Sequence, residues 1–396
     1  MKKLFLSVIG MYLIILSAYS QSTNTDTGYK KRKLKFEEAN LVSSYYHQNG
    51  DNAAVTGGIG SEKLTDISNS IDVKFSKYDR KNLKHSFIGE IGIDHYTSAS
   101  SDKVDPNTVS SASYSDTRLY PSINWTMENE AKGQTVGAGL SLSNEFDYFS
   151  TGINFLYSKK TKDRNGEFTA KFNAYFDQVT LILPIELRTG GGGGDDYSTD
   201  NRNTFSGSIS WAQVVNKNFQ VSLEGQVVYQ NGYLALPFHR VYFLDNSVRV
   251  ENLPGSRLKI PVGLRANYFV GDKLILRSWY RFYHDDWGIN SNTLQLETAI
   301  KFTPFLSVTP FYRYYQQTAT DYFQPYRDHK LTDQYYTSNY DLSDFNSHFY
   351  GAGFRLAPPS GIFKNPHFSS IDIRYGHYTR TTGLSSNIVS LALGFK

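Results

Sequence analysis

LILRSWYRFYHDDWGINSNT, residues 274–293, decides the fold. In its first half Leu274, Leu276, Ser278, Tyr280 and Phe282 alternate with Ile275, Arg277, Trp279, Arg281 and Tyr283. Side chains that change character every second residue mark a β-strand, because successive Cβ atoms point to opposite faces. One face of this strand is mostly apolar and aromatic, and the other carries two arginines four residues apart. A soluble β-protein buries its apolar face in a core. Here the pattern predicts an apolar face turned to lipid and an arginine face turned to a lumen.

The same alternation recurs on both sides. After Ser256, Leu258, Ile260, Val262, Leu264, Ala266 and Tyr268 share one side, and Lys259, Gly263, Arg265 and Asn267 the other. Further on, Leu294, Leu296, Thr298, Ile300 and Phe302 oppose Gln295, Glu297, Ala299 and Lys301. Near residue 223, Phe219, Val221, Leu223, Val227 and Tyr229 oppose Gln220, Ser222, Glu224 and Gln226. Charge stays on one face because Lys or Arg at the lipid midplane costs roughly 2–4 kcal/mol.

From Phe36 to the end, sixteen segments read as strands. They centre near Ser43, Val73, Ile91, Ile123, Leu140, Phe155, Phe172 and Ile209, then near Leu223, Leu264, Tyr280, Leu296, Thr309, Gly351, Ile373 and Leu391. Few segments hold the apolar spacing of a helix. Their connections alternate in length. Tight turns fall at 79–82, 130–133, 163–166, 216–218, 271–273 and 303–304, with a slightly longer one at 358–366. Between them lie longer stretches at 47–69, 98–116, 179–203, 231–256 and 318–346, and two short ones at 144–148 and 285–292. Short turns on one side and long loops on the other predict an all-β, antiparallel, up-and-down transmembrane barrel of 14–16 strands in an outer membrane. An even strand number places both ends of the barrel on the periplasmic side.

Composition agrees. Aromatic residues make up 15% of the 396, with 30 Tyr and 26 Phe, which suits aromatic girdles at two membrane interfaces. A net charge of +4 without a basic reading motif excludes nucleic-acid binding. There is no Cys, so no disulfide and no thiolate metal site can form.

Lys2 and Lys3 precede an apolar stretch from Leu4 to Leu16, followed by Ala18, Tyr19 and Ser20. This predicts a secretory signal peptide over 1–20, cleaved after Ser20, with no Cys behind it to carry a lipid. Residues 21–35 then form a polar periplasmic tail ending in the basic cluster Lys30, Lys31, Arg32, Lys33 and Lys35. The barrel is expected over 36–396. Its last strand alternates Val389, Leu391, Leu393 and Phe395, which resembles the signal read by the barrel assembly machinery, although Lys396 follows the aromatic residue.

The strongest chemical constellation is the charge set Arg265, Arg277, Arg281, Glu297 and Arg313 on four strands. Strands about 4.8 Å apart allow neighbours in the set to pair. One reading is an arginine ladder favouring anions along a solute path. The other is an ion network in which Glu224 and Glu297 offset the arginines and fill the interior. His284, Asp285, Asp286 and Trp287 form a polar cluster at a loop end, with Trp287 expected at the outer interface. Adjacent strand residues diverge, so the cluster is not read as a metal site. The run Gly190 to Gly194, followed by Asp195 and Asp196, lacks the Lys and the strand-loop-helix setting of a phosphate loop and reads as a loop of high backbone freedom. Asp195, Asp196 and Asp200 are of a type that could bind calcium weakly, but they do not have EF-hand spacing. Ser347 and His348 are adjacent and so diverge on a strand, and no G-x-S-x-G is present; no enzyme activity and no cofactor are expected.

YRFYHDDWGINSNT (280–293) and TPFYRYYQQTATDYFQPY (309–326) resemble an uncharacterised outer-membrane barrel family of Bacteroidetes-type bacteria, a domain of unknown function. FEEANLVSSYYHQNGDNAAVTGGIGSEKLTD (36–66) and LPFHRVYF (236–243) fit its general pattern. In that pattern a His often stands where this chain has Asn292. The resemblance implies an outer-membrane barrel, bounded by lipid and lipopolysaccharide. It also implies genes for thioredoxin-like proteins, small lipoproteins and flavin transferases nearby, and so an envelope redox or flavin-linked partner. The leading expectation is a porin-like channel for small solutes, anions among them; the alternatives are a non-conducting scaffold and, as the minority reading, a barrel enzyme.

Overall fold

The computed structural model describes residues 33–97, 115–188 and 197–396. The expected signal peptide, most of the basic tail, residues 98–114 of one long loop and the glycine run with Asp195 and Asp196 lie outside the described residues.

Sixteen antiparallel strands close into one barrel. In chain order they begin with β1 (Lys35–Asn49), β2 (Leu64–Tyr78), β3 (Lys84–Thr97), β4 (Ser115–Asn129) and β5 (Gln134–Asn144). They continue with β6 (Tyr148–Lys160), β7 (Gly166–Thr180), β8 (Thr199–Asn216) and β9 (Phe219–Gly232). Two short strands, β10 (Arg240–Tyr242) and β11 (Val248–Val250), form a separate hairpin outside the wall. The wall resumes with β12 (Ser256–Val270), β13 (Leu274–Asp285), β14 (Asn290–Thr303) and β15 (Leu306–Gln317). It ends with β16 (Phe345–Leu356), β17 (Phe368–Arg380) and β18 (Ser385–Phe395). Each wall strand pairs with the wall strands before and after it, β9 with β12 across the hairpin, and β1 pairs with β18 from Ala39↔Phe395 to Asn49↔Ser385. All sixteen expected centres fall within these strands.

Closure leaves no row of unpaired backbone donors and acceptors, which hydrocarbon could not satisfy. At the seam Ala39, Leu41, Ile71 and Phe395 pack together, and the Phe395 ring stacks on Phe368 at 5.2 Å. The shortest wall strands hold 11 residues, enough for a tilted strand to span hydrocarbon, which takes about 9–11. The outer face is apolar: Ile123, Ile209, Leu223, Leu264, Leu296, Tyr312, Tyr350 and Ile373 are all solvent-exposed in the isolated chain. A continuous exposed apolar belt has no place in water and suits lipid. Aromatic residues stand at both ends of it, with Phe302 and Phe305 near the short turns and Tyr229 and Phe282 near the loops.

The short turns have local causes. The Asp79 carboxylate accepts from Lys81 N at 2.8 Å and Leu83 N at 2.9 Å while Asn82 takes φ 61°. This is the side-chain turn that Asp and Asn favour. Several strands run further than the alternation suggested at the loop end. The loop expected at 47–69 occupies 50–63, and the one expected at 179–203 occupies 181–198. Those strand ends stand beyond the apolar belt, so the ladder continues without the two-sided pattern that betrays it. A third short connection, 381–384, joins β17 to β18 at the loop end.

The two faces of one strand predict a sharp contrast. Leu223 points outward and is 55% exposed, while its neighbour Ser222 faces the lumen. Leu223→Arg is expected to cost about 2–4 kcal/mol and Ser222→Arg less than about 0.5 kcal/mol. Denaturant unfolding from lipid vesicles measures both; equal costs would remove the assignment of faces.

Candidate functional site

The arginines of β12, β13 and β15 do reach the interior, but not as one ladder. Register pairs Arg277 with Glu297, and Arg277 Nη1 lies 3.7 Å from Glu297 Oε2. Glu297 Oε1 accepts from Gln295 Nε2 at 2.9 Å and from Arg374 Nη2 of β17 at 3.1 Å. Arg313 Nε in turn donates to Gln295 Oε1 at 2.8 Å. One carboxylate therefore gathers Arg277 and Arg374 directly and Arg313 through an amide. Arg374 also lies over the Phe311 ring at 4.0 Å and Arg313 over Phe349 at 5.5 Å, contacts between cation and ring face. Arg374 was not singled out in the sequence, because it stands 77 residues from Glu297 and reaches it only across the curved wall.

Arg265 and Arg281 form a second group. Arg265 lies over Trp279, its register partner, at 4.9 Å. With Arg281 and Glu224 they line a recess of about 200 Å³. Among the described residues Glu224 makes no direct ion pair, while it shares this recess with both guanidinium groups. The first group borders a larger cavity of about 560 Å³ toward the short-turn end, where Arg355 and Lys301 add positive charge and Asp372 negative. These charges stay hydrated: the Arg277 and Arg374 side chains are 48% and 44% exposed.

The loop-end cluster is pulled apart by the strand's own alternation. His284 faces outward and its Nδ1 meets Asn290 Oδ1 at 2.9 Å. Asp286 accepts from Leu258 N at 3.0 Å. Asp285 turns inward and is 1% exposed. Its carboxylate accepts from Arg257 Nε, Trp287 N and Ile289 N, each at 3.0 Å, and from Tyr283 Oη at 2.6 Å. Trp287 is not at the outer interface. It is buried with Ala235, Leu253 and Tyr322, under the Arg257 guanidinium at 4.3 Å. The tight turn held by Asp285 folds the indole back over the mouth, where loop side chains cover it.

Those loops build a lid. Val241 and Phe243 of the β10–β11 hairpin are wholly buried, with Phe243 against Tyr336 at 4.9 Å between ring centres. The Glu251 carboxylate accepts from Leu236 N at 2.7 Å and Thr337 Oγ1 at 2.5 Å. Arg240 ties three loops together: Nη1 donates to Val55 O at 2.8 Å, and Nη2 to Glu186 Oε2 at 3.1 Å. The β9–β12 and β1–β2 loops leave opposite sides of the ring, so the bond from Arg240 to Val55 crosses the mouth. Gly57 allows this, since a Cβ there would meet the Tyr242 ring at 2.5 Å. Arg380 Nη1 at the end of β17 holds Asp341 of the β15–β16 loop at 2.6 Å.

Two further groups complete the picture. Asp116, Glu145 and Asp147 bring carboxylate oxygens within 4.8 Å of one another beside the short β5–β6 connection. They already accept from Thr117 N, Phe146 N and Tyr96 Oη. Ser347 faces the lumen, while His348 leaves the outer face of β16 to meet Tyr312 Oη at 2.7 Å.

A family model described as a protein of unknown function, DUF3570, matches residues 92–361. The chain belongs to this family. The matched stretch runs from β3 to the turn before β17, and so includes the hairpin of the lid, Asp285 and Glu297. No curated protein matches the chain. Among solved structures it is similar to Pseudomonas aeruginosa OccK1 (OpdK), at 9% identity over 90% of this chain and 97% of that one, with a TM-score of 0.42. It is similar to Pseudomonas aeruginosa OprD, at 10% identity over 92% and 95%, with a TM-score of 0.44. A BenF-like porin from Pseudomonas fluorescens Pf-5 gives 10% identity over 90% and 98%, with a TM-score of 0.42.

Two outcomes are expected for the lid. Asp285→Ala leaves the buried Arg257 guanidinium without its partner and is expected to destabilise the chain by about 3–5 kcal/mol, read from denaturant midpoints. The Arg240 guanidinium holds the Glu186 carboxyl below the usual carboxylate range. The stability this latch contributes is full above the ordinary carboxylate pKa and is lost as pH falls through the lowered one. The protection factors of amides in residues 50–63 should therefore fall at acid pH in the wild type, and be low and flat with pH in Arg240→Ala.

Proposed function

We propose that the chain is exported by its signal peptide to the outer membrane and acts there as a porin-like channel for small solutes. The lumen arginines bias it toward anions. The observation that supports this most directly is a closed wall with an apolar exterior and an interior whose guanidinium groups remain in solvent. Low-dielectric walls focus such charge on a passing ion. The short turns face the periplasm, the lid faces outward among lipopolysaccharide, and the strand ending in Phe395 engages the barrel assembly machinery during insertion.

A second reading has one observation in its favour. The lid spans the mouth through Arg240 and Val55, as expected of a non-conducting scaffold whose loops hold an envelope partner, flavin- or redox-linked by the family resemblance. We also infer that no catalysis runs through Ser347 and His348, which leave their strand on opposite faces.

Planar-bilayer recording of refolded protein separates the two. Stepwise conductance is expected, with a reversal potential on the anion side. Arg277→Ala with Arg281→Ala should lower the anion-to-cation permeability ratio several-fold. A silent, folded barrel, silent also as Arg240→Ala, would favour the scaffold.

A further inference from the structure

The lumen arginines have a counterpart on the other side of the barrel. Asp66 and Asp72 of β2 and Glu90 and Asp94 of β3 share the interior face, with Asp72 and Glu90 register partners. Asp94 accepts from Tyr120 Oη at 2.9 Å, and Asp72 from Asn40 Nδ2 at 3.0 Å. Among the described residues none of the four makes an ion pair, and neither do Arg265 and Arg281.

This isolation is not general in the chain. At the short-turn end, charges are matched side by side: Lys74 and Lys84 with Glu37, and Lys160 with Glu128. A purely structural network would pair its members in the same way, since unpaired charges gain nothing from one another. At mid-depth Glu297 still gathers Arg277 and Arg374, but the carboxylates of β2 and β3 and the charges of Arg265 and Arg281 stand apart from any ion-pair partner.

The separation runs across the pore. In the closed ring β12 stands eight strands from β2, and β13 eight strands from β3. In a ring of sixteen these are opposite walls. The depths match as well. Asp72 and Glu90 each lie six residues from the short-turn end of their strands, Arg265 five and Arg281 seven. Carboxylates on one wall therefore face guanidinium groups on the other at this level of the lumen. The exceptions are Arg118, the register partner of Asp94 that pairs with Glu145, and Glu224 in the recess of Arg265 and Arg281.

We propose, on the reading that the lumen conducts, that these walls set a transverse field that selects small solutes carrying an ammonium and a carboxylate on one molecule. Such a solute turns its ammonium toward Asp72 and Glu90 and its carboxylate toward Arg265 and Arg281. It gains from both walls where a simple anion gains from one and is repelled by the other. Short peptides and amino acids have this chemistry. The field is strongest at low salt, because the screening length is about 10 Å at 0.1 M and about 3 Å at 1 M.

The test uses proteoliposome swelling at pH 7 with three probes of similar size: triglycine, which bears both charges; acetyl-triglycine, an anion; and triglycine amide, a cation. Wild type should admit triglycine at least about threefold faster than either relative at low salt, and the advantage should vanish in 1 M salt. The pair Asp72→Asn and Glu90→Gln should remove it and leave acetyl-triglycine fastest. The pair Arg265→Gln and Arg281→Gln should remove it and leave triglycine amide fastest. Compact mobility on unheated SDS gels shows that each variant has folded, and single substitutions replace any pair that has not. Flux ordered by net charge alone, with triglycine between the other two in every variant, overturns the field but leaves the pore. No flux of any probe, even after Arg240→Ala loosens the lid, overturns the pore and the field with it.

Discussion

Everything in this molecule depends on where backbone hydrogen bonds can be made. Hydrocarbon offers no donors or acceptors, so a sheet in lipid must satisfy every N–H and C=O within itself. The pairing of β1 with β18 does this, and the apolar cluster of Ala39, Leu41, Ile71 and Phe395 packs at that seam. Once the wall is closed, each strand has one face in lipid and one in the lumen. The sequence can then place arginine at 277 and 281 beside leucine at 276 and tyrosine at 280 without burying charge in hydrocarbon.

Closure also brings together residues the chain keeps far apart. Glu297 holds Arg277, from the preceding strand, and Arg374, from a strand nearly eighty positions on. The lid is held by the same kind of long reach, with Val55 bonded to Arg240 across 185 positions. Buried polar groups such as Asp285, Arg240 and Glu251 are each met by several partners, because leaving one unmet under the lid costs free energy that loop packing alone does not return. The result is a rigid cover with its own aromatic core, Phe243 against Tyr336, over a hydrated interior.

The two parts have different electrostatic characters. Charges in the lid and at the short turns are matched locally. Those at mid-depth are matched incompletely, one carboxylate to several guanidinium groups on one wall and carboxylates that meet only neutral donors on the other. In an open lumen, charge left unmatched would act on whatever passes, and the proposed transport draws on the wall chemistry in that way.

The strands, their order, their two faces and the sides on which short turns and long loops lie were all legible in the sequence, because period-2 alternation and turn chemistry are local properties of the chain. The arginines at 265, 277, 281 and 313 were placed on the inner face by the same alternation. Their partners were not. Arg374 was invisible, the recess that Glu224 shares with Arg265 and Arg281 could not be read from one strand, and Trp287 was assigned to the outer interface when the turn at Asp285 folds it under the lid. Strand ends beyond the apolar belt also escaped notice, since a ladder in water needs no apolar face. Which residue meets which, and which walls oppose each other, depends on the number of strands in the closed ring. Only the tertiary structure could decide that, because facing across a lumen is a property of the circle and not of any stretch of chain.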